Sequence, residues 1–231
     1  VRVFSLILML FATQVFSSEP SRATPEAFTG LNYTKASYSD KAMVSAANPH
    51  AVNAGVQMLK QGGSAIDAAI AVQLTLTLVE PQSSGIGGGA FLMWYDSKTK
   101  QVKSFDGRET APANATAELF FGEDGKPVSW INAVVGGRSV GTPGVLDMLW
   151  KLHQEQGKLP WKTLFEPAIK LADNGFKVSP RLAKLVAMVS NPGMKKLKTI
   201  NEYFFPNGQP VKEGQLLVNK PYANVLKRIA A

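Results

Sequence analysis

Asp106-Gly107-Arg108-Glu109-Thr110-Ala111-Pro112 follows the strand-like run Val102-Lys103-Ser104-Phe105 and carries an arginine just after that run ends. Upstream, a glycine-dense turn feeds another hydrophobic strand, Glu80-Pro81-Gln82-Ser83-Ser84-Gly85-Ile86-Gly87-Gly88-Gly89-Ala90. A fixed guanidinium can hold a carboxylate by two parallel hydrogen bonds, which the planar fork of arginine does better than lysine. The two stretches indicate a pair of strands with a carboxylate-binding residue, Arg108, at one end.

The composition favours a folded protein with a substantial hydrophobic core. The chain has 231 residues, of which 45% are hydrophobic, and this fraction argues against global disorder. Its net charge of +8 is uneven, because residues 151–231 hold 14 Lys/Arg against 5 Asp/Glu. These basic residues are not interleaved with stacking aromatics, so we predict a solvated basic face and no nucleic-acid partner. A basic face that meets an acidic partner is the alternative.

Cysteine, histidine and glycine usage limits the chemistry. The chain has no cysteine, which excludes disulfides, thiolate catalysis and cysteine-based zinc sites. Its imidazoles, His50 and His153, are far apart in sequence, so we expect no metal site. The run Gly85–Gly89 lacks the Gly-Lys-Ser/Thr ending of a phosphate-binding loop and precedes a strand instead of following one. We therefore expect it to provide close backbone packing near the site, and we expect no cofactor.

The N-terminus is predicted to be a signal peptide. It is apolar from Val3 to Leu10 and mostly apolar to Phe16, which is too short for a membrane span. We place the signal peptide at residues 1–17 and a polar linker at residues 18–40. A buried first strand is the alternative for the apolar run. The prediction implies a periplasmic or secreted protein with no membrane span after signal removal.

Local signals predict an α+β protein. We expect a short strand at Lys41–Ala47, then a helix that Asn48 caps, with Pro49 in its first turn and Gly62-Gly63 as its stop. A capping box, with Ser64 and Asp67 as its members, opens an Ala- and Leu-rich helix at Ala65–Val79 that should be buried on most faces.

A hairpin follows that helix. Its strands are predicted at Phe91–Tyr95 and Gln101–Phe105, and the first has large side chains on both faces, as a central strand would. Residues 107–140 are predicted to be irregular. The later helices are predicted from local caps and stops: Thr142-Pro143 to about Gln156, about Trp161 to Asn174 with Gly175 as stop, one opened by Ser179-Pro180, and one from near Pro221 that runs to Ala231.

The candidate residues supply a binding group but no catalytic group. Arg108 can act as a carboxylate clamp, or it can simply pair with Asp106 or Glu109. Ser83 and Ser84 have no neighbouring base and are interpreted as turn residues. Of the remaining candidates, Asp67 is predicted to be a cap, His50 a core or partner-contacting residue, and His153 an exposed residue. A binding arginine without a nucleophile or base fits a fragment, a binding module or a dead enzyme.

Several motifs occur in an order and at a spacing that resemble the large-subunit half of the gamma-glutamyltransferases. They run from about Ala42 to the end of the chain: Asn48-Pro49-His50-Ala51, Gly62-Gly63-Ser64-Ala65-Ile66-Asp67-Ala68-Ala69, Glu80-Pro81 to Gly89, Asp106 to Pro112, Gly141-Thr142-Pro143-Gly144, Pro160-Trp161, and Pro167-Ala168-Ile169-Lys170-Leu171-Ala172 to Gly175-Phe176. Each is weak alone, but together they are specific. Departures are Ser64, where the family more often has Asn, and Leu146-Asp147-Met148, which replaces a smaller, glycine-containing run.

The resemblance implies a four-layer αββα N-terminal-nucleophile hydrolase fold, of which residues 41–231 would be the large-subunit portion. In that family a proenzyme cuts itself into two subunits, and the threonine exposed at the start of the small subunit attacks the gamma-glutamyl amide. The resemblance assigns Arg108 to the α-carboxylate of a gamma-glutamyl substrate such as glutathione. The catalytic threonine would lie beyond Ala231, in a small subunit from the same proenzyme.

The last helix is still apolar-periodic at Ala231 and has no cap there, so we expect a truncated chain that is inactive alone. Two alternatives remain open. One is a related acylase with another carboxylate-bearing substrate, and the other is an inactive secreted fragment or binding module.

Overall fold

The computed structural model describes residues 35–189, 191 and 193–231. The predicted signal peptide and most of the predicted linker lie outside the described residues. The described chain combines helices with short antiparallel strands, which confirms the predicted α+β class. The four-layer arrangement stays a prediction. Within the described residues, no helix has the length and apolar character needed to cross a bilayer.

Helices α1 and α2 form a packed pair whose ends follow the local sequence signals. Helix α1 spans Pro49–Lys60, and the side chain of Asn48 accepts a hydrogen bond from the backbone N–H of His50 at 3.0 Å. It ends before Gly62, whose φ of +85° is the left-handed conformation that favours glycine. Helix α2 spans Ala65–Val79 and opens with the predicted reciprocal capping box.

The segment before α1 differs from the prediction. Residues 35–48 form neither helix nor strand, so the strand predicted at Lys41–Ala47 is wrong. A strand requires a backbone partner, and none pairs with this segment in the described part of the chain. The segment instead packs through a side chain, since the two methyl carbons of Val44 lie 2.9 and 3.3 Å from the position that a Cβ on Gly55 would take.

Strands β1 (Ala90–Asp96) and β2 (Gln101–Gly107) form the predicted hairpin, paired antiparallel with Ala90 opposite Gly107. One face contributes four side chains to the core, Ala90, Leu92, Trp94 and Phe105. On the other face Phe91 and Met93 are 70% and 76% exposed. The sequence predicted a central strand with large residues on both faces. The described residues cover one of these two faces and leave the other exposed.

The elements after the hairpin are mostly short helices: α3 (Trp130–Val134), α4 (Val145–Gln156), α5 (Glu166–Asn174), β3 (Phe176–Lys177), α6 (Pro180–Ala187), α7 (Gly193–Lys196), α8 (Lys198–Phe204), β4 (Leu216–Leu217) and α9 (Lys220–Ala230). Strands β3 and β4 pair antiparallel. The predicted stop at Gly175 (φ +89°) and the predicted cap at Ser179, which accepts from the backbone N–H of Leu182, are confirmed.

Two predicted helix bounds are wrong. Helix α4 begins at Val145, and its N-terminal flanking residue Gly144 makes no side-chain cap, so Thr142-Pro143 do not open it. The helix predicted from Trp161 to Asn174 is a 3-10 helix, Trp161–Phe165, followed by α5. In both cases residues just before the α-helix adopt another backbone conformation that a capping pattern does not reveal.

Helix α2 lies at the centre of the core. One buried cluster joins it to α1, α4, α5 and α9 through residues that include Met58, Leu74, Leu149, Ala168 and Leu226. A second cluster surrounds its C-terminal residues Leu78 and Val79. The unusual Asp147 of α4 does not disturb this packing, because it is exposed and pairs with Lys151 at 2.7 Å.

Candidate active site

Arg108 lies directly after β2, where three turns of the chain meet. Its backbone N–H donates to the Oδ1 of Asp106 at 2.8 Å, which turns the chain out of the strand. Asp106 therefore supports the backbone and makes no ion pair with the guanidinium. The position follows from the hairpin register, which places Gly107 at the end of the ladder opposite Ala90.

The glycine turn packs directly on this position. A Cβ on Gly89 would lie 2.7 Å from the Cα of Arg108 and 2.6 Å from the Oε2 of Glu109. The carbonyl of Gly88 accepts hydrogen bonds from the N–H groups of Gly144 and Val145, each at 3.2 Å. No side chain larger than hydrogen fits at residue 89 without moving the backbone, which explains the glycine run.

The third turn closes the site from the side of α4. Thr110 and Thr142 form an antiparallel bridge with backbone hydrogen bonds of 3.2 and 2.8 Å. A Cβ on Gly144 would meet the carbonyl oxygen of Arg108 at 2.5 Å. The motif Gly141–Gly144 therefore supplies backbone contact to the Arg108 turn, which is why Thr142 is not a helix cap.

The side chain of Arg108 is held and still accessible. Its Nη1 lies 3.4 Å from the Oε2 of Glu109, and its guanidinium stands 5.9 Å from the centre of the Phe91 ring. The Arg108 side chain is 56% exposed, so the ion pair is partly screened and leaves N–H donors open to a ligand. Of the two sequence interpretations, the pairing of Arg108 with Glu109 is confirmed, and the carboxylate clamp stays a prediction.

Other candidates have structural surroundings. Ser83 accepts from Arg181 at 3.4 Å and Ser84 accepts from Gln73 at 2.9 Å, as expected of turn residues. The ring of His50 contacts Phe176 edge-on at 6.5 Å. Among the residues that the structure describes, no three His, Cys, Asp or Glu side chains form a group that could hold a metal ion.

The prediction that His153 is exposed is wrong. Its side chain is largely buried beside Trp161, and its Nε2 contacts the carbonyl of Leu159 at 2.8 Å. Asp67 is a cap as predicted, but it is also fully buried and accepts from the backbone N–H groups of Lys158 and Leu159. These partners lie about 90 residues from Asp67 in sequence, so local patterns could not reveal them.

Sequence reasoning gave no separate role to Glu80, which is almost fully buried. The available signal was an acid between the apolar helix α2 and a proline, a position where a carboxylate needs partners from elsewhere in the fold.

The structure presents an accessible arginine at the end of a hairpin on an α+β scaffold, and comparison with known proteins identifies the family of the chain. Residues 51–231 match the family Gamma-glutamyltranspeptidase, and the chain belongs to that family. It is 39% identical over 225 residues to the "Glutathione hydrolase proenzyme" of Bacillus subtilis (strain 168), covering 97% of this chain and 38% of the relative. The chain thus spans well under half the length of that relative.

Solved structures agree with this assignment. The gamma-glutamyltranspeptidase of Helicobacter pylori aligns with a TM-score of 0.79 at 30% identity, covering 85% of this chain and 56% of that chain. The gamma-glutamyltranspeptidase from Pseudomonas nitroreducens complexed with L-DON aligns with a TM-score of 0.75 at 32% identity, covering 84% and 55%.

Proposed function

We propose that residues 41–231 form the large-subunit portion of an enzyme that transfers or hydrolyses the gamma-glutamyl group of glutathione and related amides. In this proposal Arg108 binds the α-carboxylate of the gamma-glutamyl substrate. The supporting observation is an accessible guanidinium at the point where three backbone turns meet, in ion-pair contact with Glu109 at 3.4 Å. Such a group is suited to a planar carboxylate, which it can hold by two parallel hydrogen bonds.

The proposed nucleophile is the N-terminal threonine of a small subunit released from the same proenzyme. Its hydroxyl attacks the γ-carbonyl carbon, its own α-amine accepts the hydroxyl proton, and the amine of the substrate leaves with a proton. Water or an acceptor amine then cleaves the glutamyl ester. Arg108 orients the substrate through its far end and takes no part in the proton transfers.

The proposal includes a cellular location. Export through a signal peptide at residues 1–17 would place the enzyme in the periplasm or outside the cell, where it meets glutathione that has left the cytoplasm.

Expression of the complete reading frame that contains this sequence tests the function. We expect self-cleavage into two polypeptides, a threonine at the new N-terminus, and turnover of a chromogenic gamma-glutamyl anilide. Residues 18–231 expressed alone should give no turnover above a heat-killed control. The proposal is contradicted if the complete reading frame yields a folded protein without gamma-glutamyl activity. A stop codon directly after Ala231 would also contradict it.

A further inference from the structure

Glu80 is a buried carboxylate outside the substrate contacts, and it joins three segments of the chain. Its side chain is 4% exposed. Oε1 accepts from the Nδ2 of Asn48 at 2.8 Å, and Oε2 accepts from the Nε2 of Gln82 at 2.6 Å and lies 3.4 Å from the Nη1 of Arg181. The partners come from the start of α1, the glycine turn and α6. A buried carboxylate persists only when such donors replace water.

The stability of α2 does not explain this acid. Glu80 directly follows the last residue of α2, where the carbonyl end of the helix dipole disfavours a negative charge. Asp67 lies in the first turn of α2, where the helix dipole favours a negative charge. The presence of a carboxylate at Glu80 is therefore explained by the residues to which it bonds and not by any stabilisation of α2.

What Glu80 holds is the start of the glycine turn. Its carbonyl accepts from the N–H groups of Ser83 and Ser84 at 3.0 and 3.1 Å, while its side chain binds Gln82. Beyond this point a Cβ on Gly85 or Gly87 would meet no atom within 4 Å, while Ile86 between them packs against the core. At the far end of the turn, Gly88 and Gly89 pack on Gly144, Arg108 and Glu109. The turn is thus held at its two ends and, between them, by the side chain of Ile86.

We propose that Glu80, together with Arg181, is a positioning residue for substrate binding. The pair fixes one end of the glycine turn, the turn sets the backbone of Arg108 and the carboxylate of Glu109, and these set the guanidinium. The inference rests on the proposed function of Arg108. A displacement of about 1 Å at a positioning group can lower the efficiency of an enzyme substantially, so loss of the Glu80 charge acts at a distance on the substrate site.

The variant Glu80→Gln removes the charge with little change of shape, and Asp67→Asn is the matched control. Both replace a buried carboxylate at an end of α2, about 20 Å apart at the rise of an α-helix. In the complete enzyme, Glu80→Gln should raise KM for a gamma-glutamyl anilide about three- to tenfold and leave kcat within about twofold, because the lost contact is made equally in the ground and transition states. Asp67→Asn should lower Tm and leave KM unchanged.

Arg181→Gln completes the test. Its side chain is 36% exposed, so this variant perturbs folding less and serves if Glu80→Gln does not fold. It should also raise KM, and the double variant should raise KM by less than the product of the two single effects, since residues in direct contact are not additive. A purely structural role predicts the opposite pattern, in which KM follows Tm equally in all variants, and that result overturns the inference.

Hydrogen exchange separates this inference from the proposed function. In the complete protein, Glu80→Gln should speed exchange of the Ser83, Ser84 and Gly88 amides about tenfold, and Asp67→Asn should not. Unchanged exchange at these amides rejects the inference whether or not the enzyme is active. If Glu80→Gln speeds exchange but the wild-type enzyme has no gamma-glutamyl activity, the proposed function is rejected. The role of Glu80 is then limited to holding the turn.

Discussion

The substitution Arg108→Lys tests the site most directly, because it keeps the positive charge and removes the planar fork. In the structure the guanidinium pairs with Glu109 and stands over Phe91. Its five N–H donors can satisfy Glu109 and still hold a carboxylate, whereas an ammonium offers three donors on a flexible stem. Arg108→Lys should therefore lose part of the carboxylate contact without unfolding the turn, whose backbone Gly89 and Asp106 hold.

The expected rise in KM depends on how exposed the Arg108 side chain is. Hydrogen bonds to charged groups contribute about 1.5–3 kcal/mol, and the lower end applies here because the Arg108 side chain is 56% exposed. At about 1.4 kcal/mol for each factor of ten, KM should rise about tenfold. The carboxylate is bound equally in the ground and transition states, so kcat should change little.

The assay is steady-state kinetics of the complete enzyme with a gamma-glutamyl anilide, beside the rate of self-cleavage. Arg228→Lys is the matched control, since Arg228 is an exposed arginine on α9. We expect Arg108→Lys to raise KM and leave self-cleavage intact, and Arg228→Lys to change neither. If KM is the same in the two variants, Arg108 does not contact the substrate and the reasoning fails.

Three further results are expected. Gly89→Ala should lower Tm and raise KM, because its methyl group would lie 2.7 Å from the Cα of Arg108, while Gly85→Ala, with open space around it, should do neither. Asp67→Asn should lower the free energy of unfolding by about 1–3 kcal/mol in urea titrations, because it weakens a buried acceptor of three backbone N–H groups; an unchanged midpoint contradicts this. Burial raises the pKa of Tyr222 to about 12 from its ordinary value of 10, so the native state favours the neutral phenol. That stabilisation is present below pH 10 and is lost as the pH rises to 12, so Tyr222→Phe should show a smaller loss of stability over this range in pH-dependent melts.

The features that the sequence predicted well are those encoded within one or two turns of the chain. The bounds of α1 and α2 follow from Asn48, Pro49 and the box of Ser64 and Asp67, because these side chains bond to backbone groups within three residues. The hairpin follows from its alternating pattern and short turn. The position of Arg108 directly after a strand was predicted for the same reason, while its role in binding stays a prediction.

The features that the sequence did not predict depend on contacts between distant residues. Residues 41–47 have strand-like side chains but no backbone partner in the described chain. Thr142 has the composition of a helix cap, but its backbone pairs with Thr110. His153 lies in a charged stretch and is buried because Asp67 and Trp161 surround it. The role of Glu80 depends on Arg181, about 100 residues later in the sequence.

The pairing of α1 with α2 also has a consequence for the order of folding. The two helices are adjacent in sequence and their mutual contacts close over a short connection, so little loop entropy opposes their association. Helix α9 reaches the same core over a far longer separation, for example through the hydrogen bond from Trp161 to the carbonyl of Ile229. We therefore expect substitutions in the α1–α2 contact, such as Met58→Ala, to slow refolding. Leu226→Ala on α9 should mainly speed unfolding. Stopped-flow measurements of the refolding and unfolding rates over a series of denaturant concentrations would distinguish the two effects.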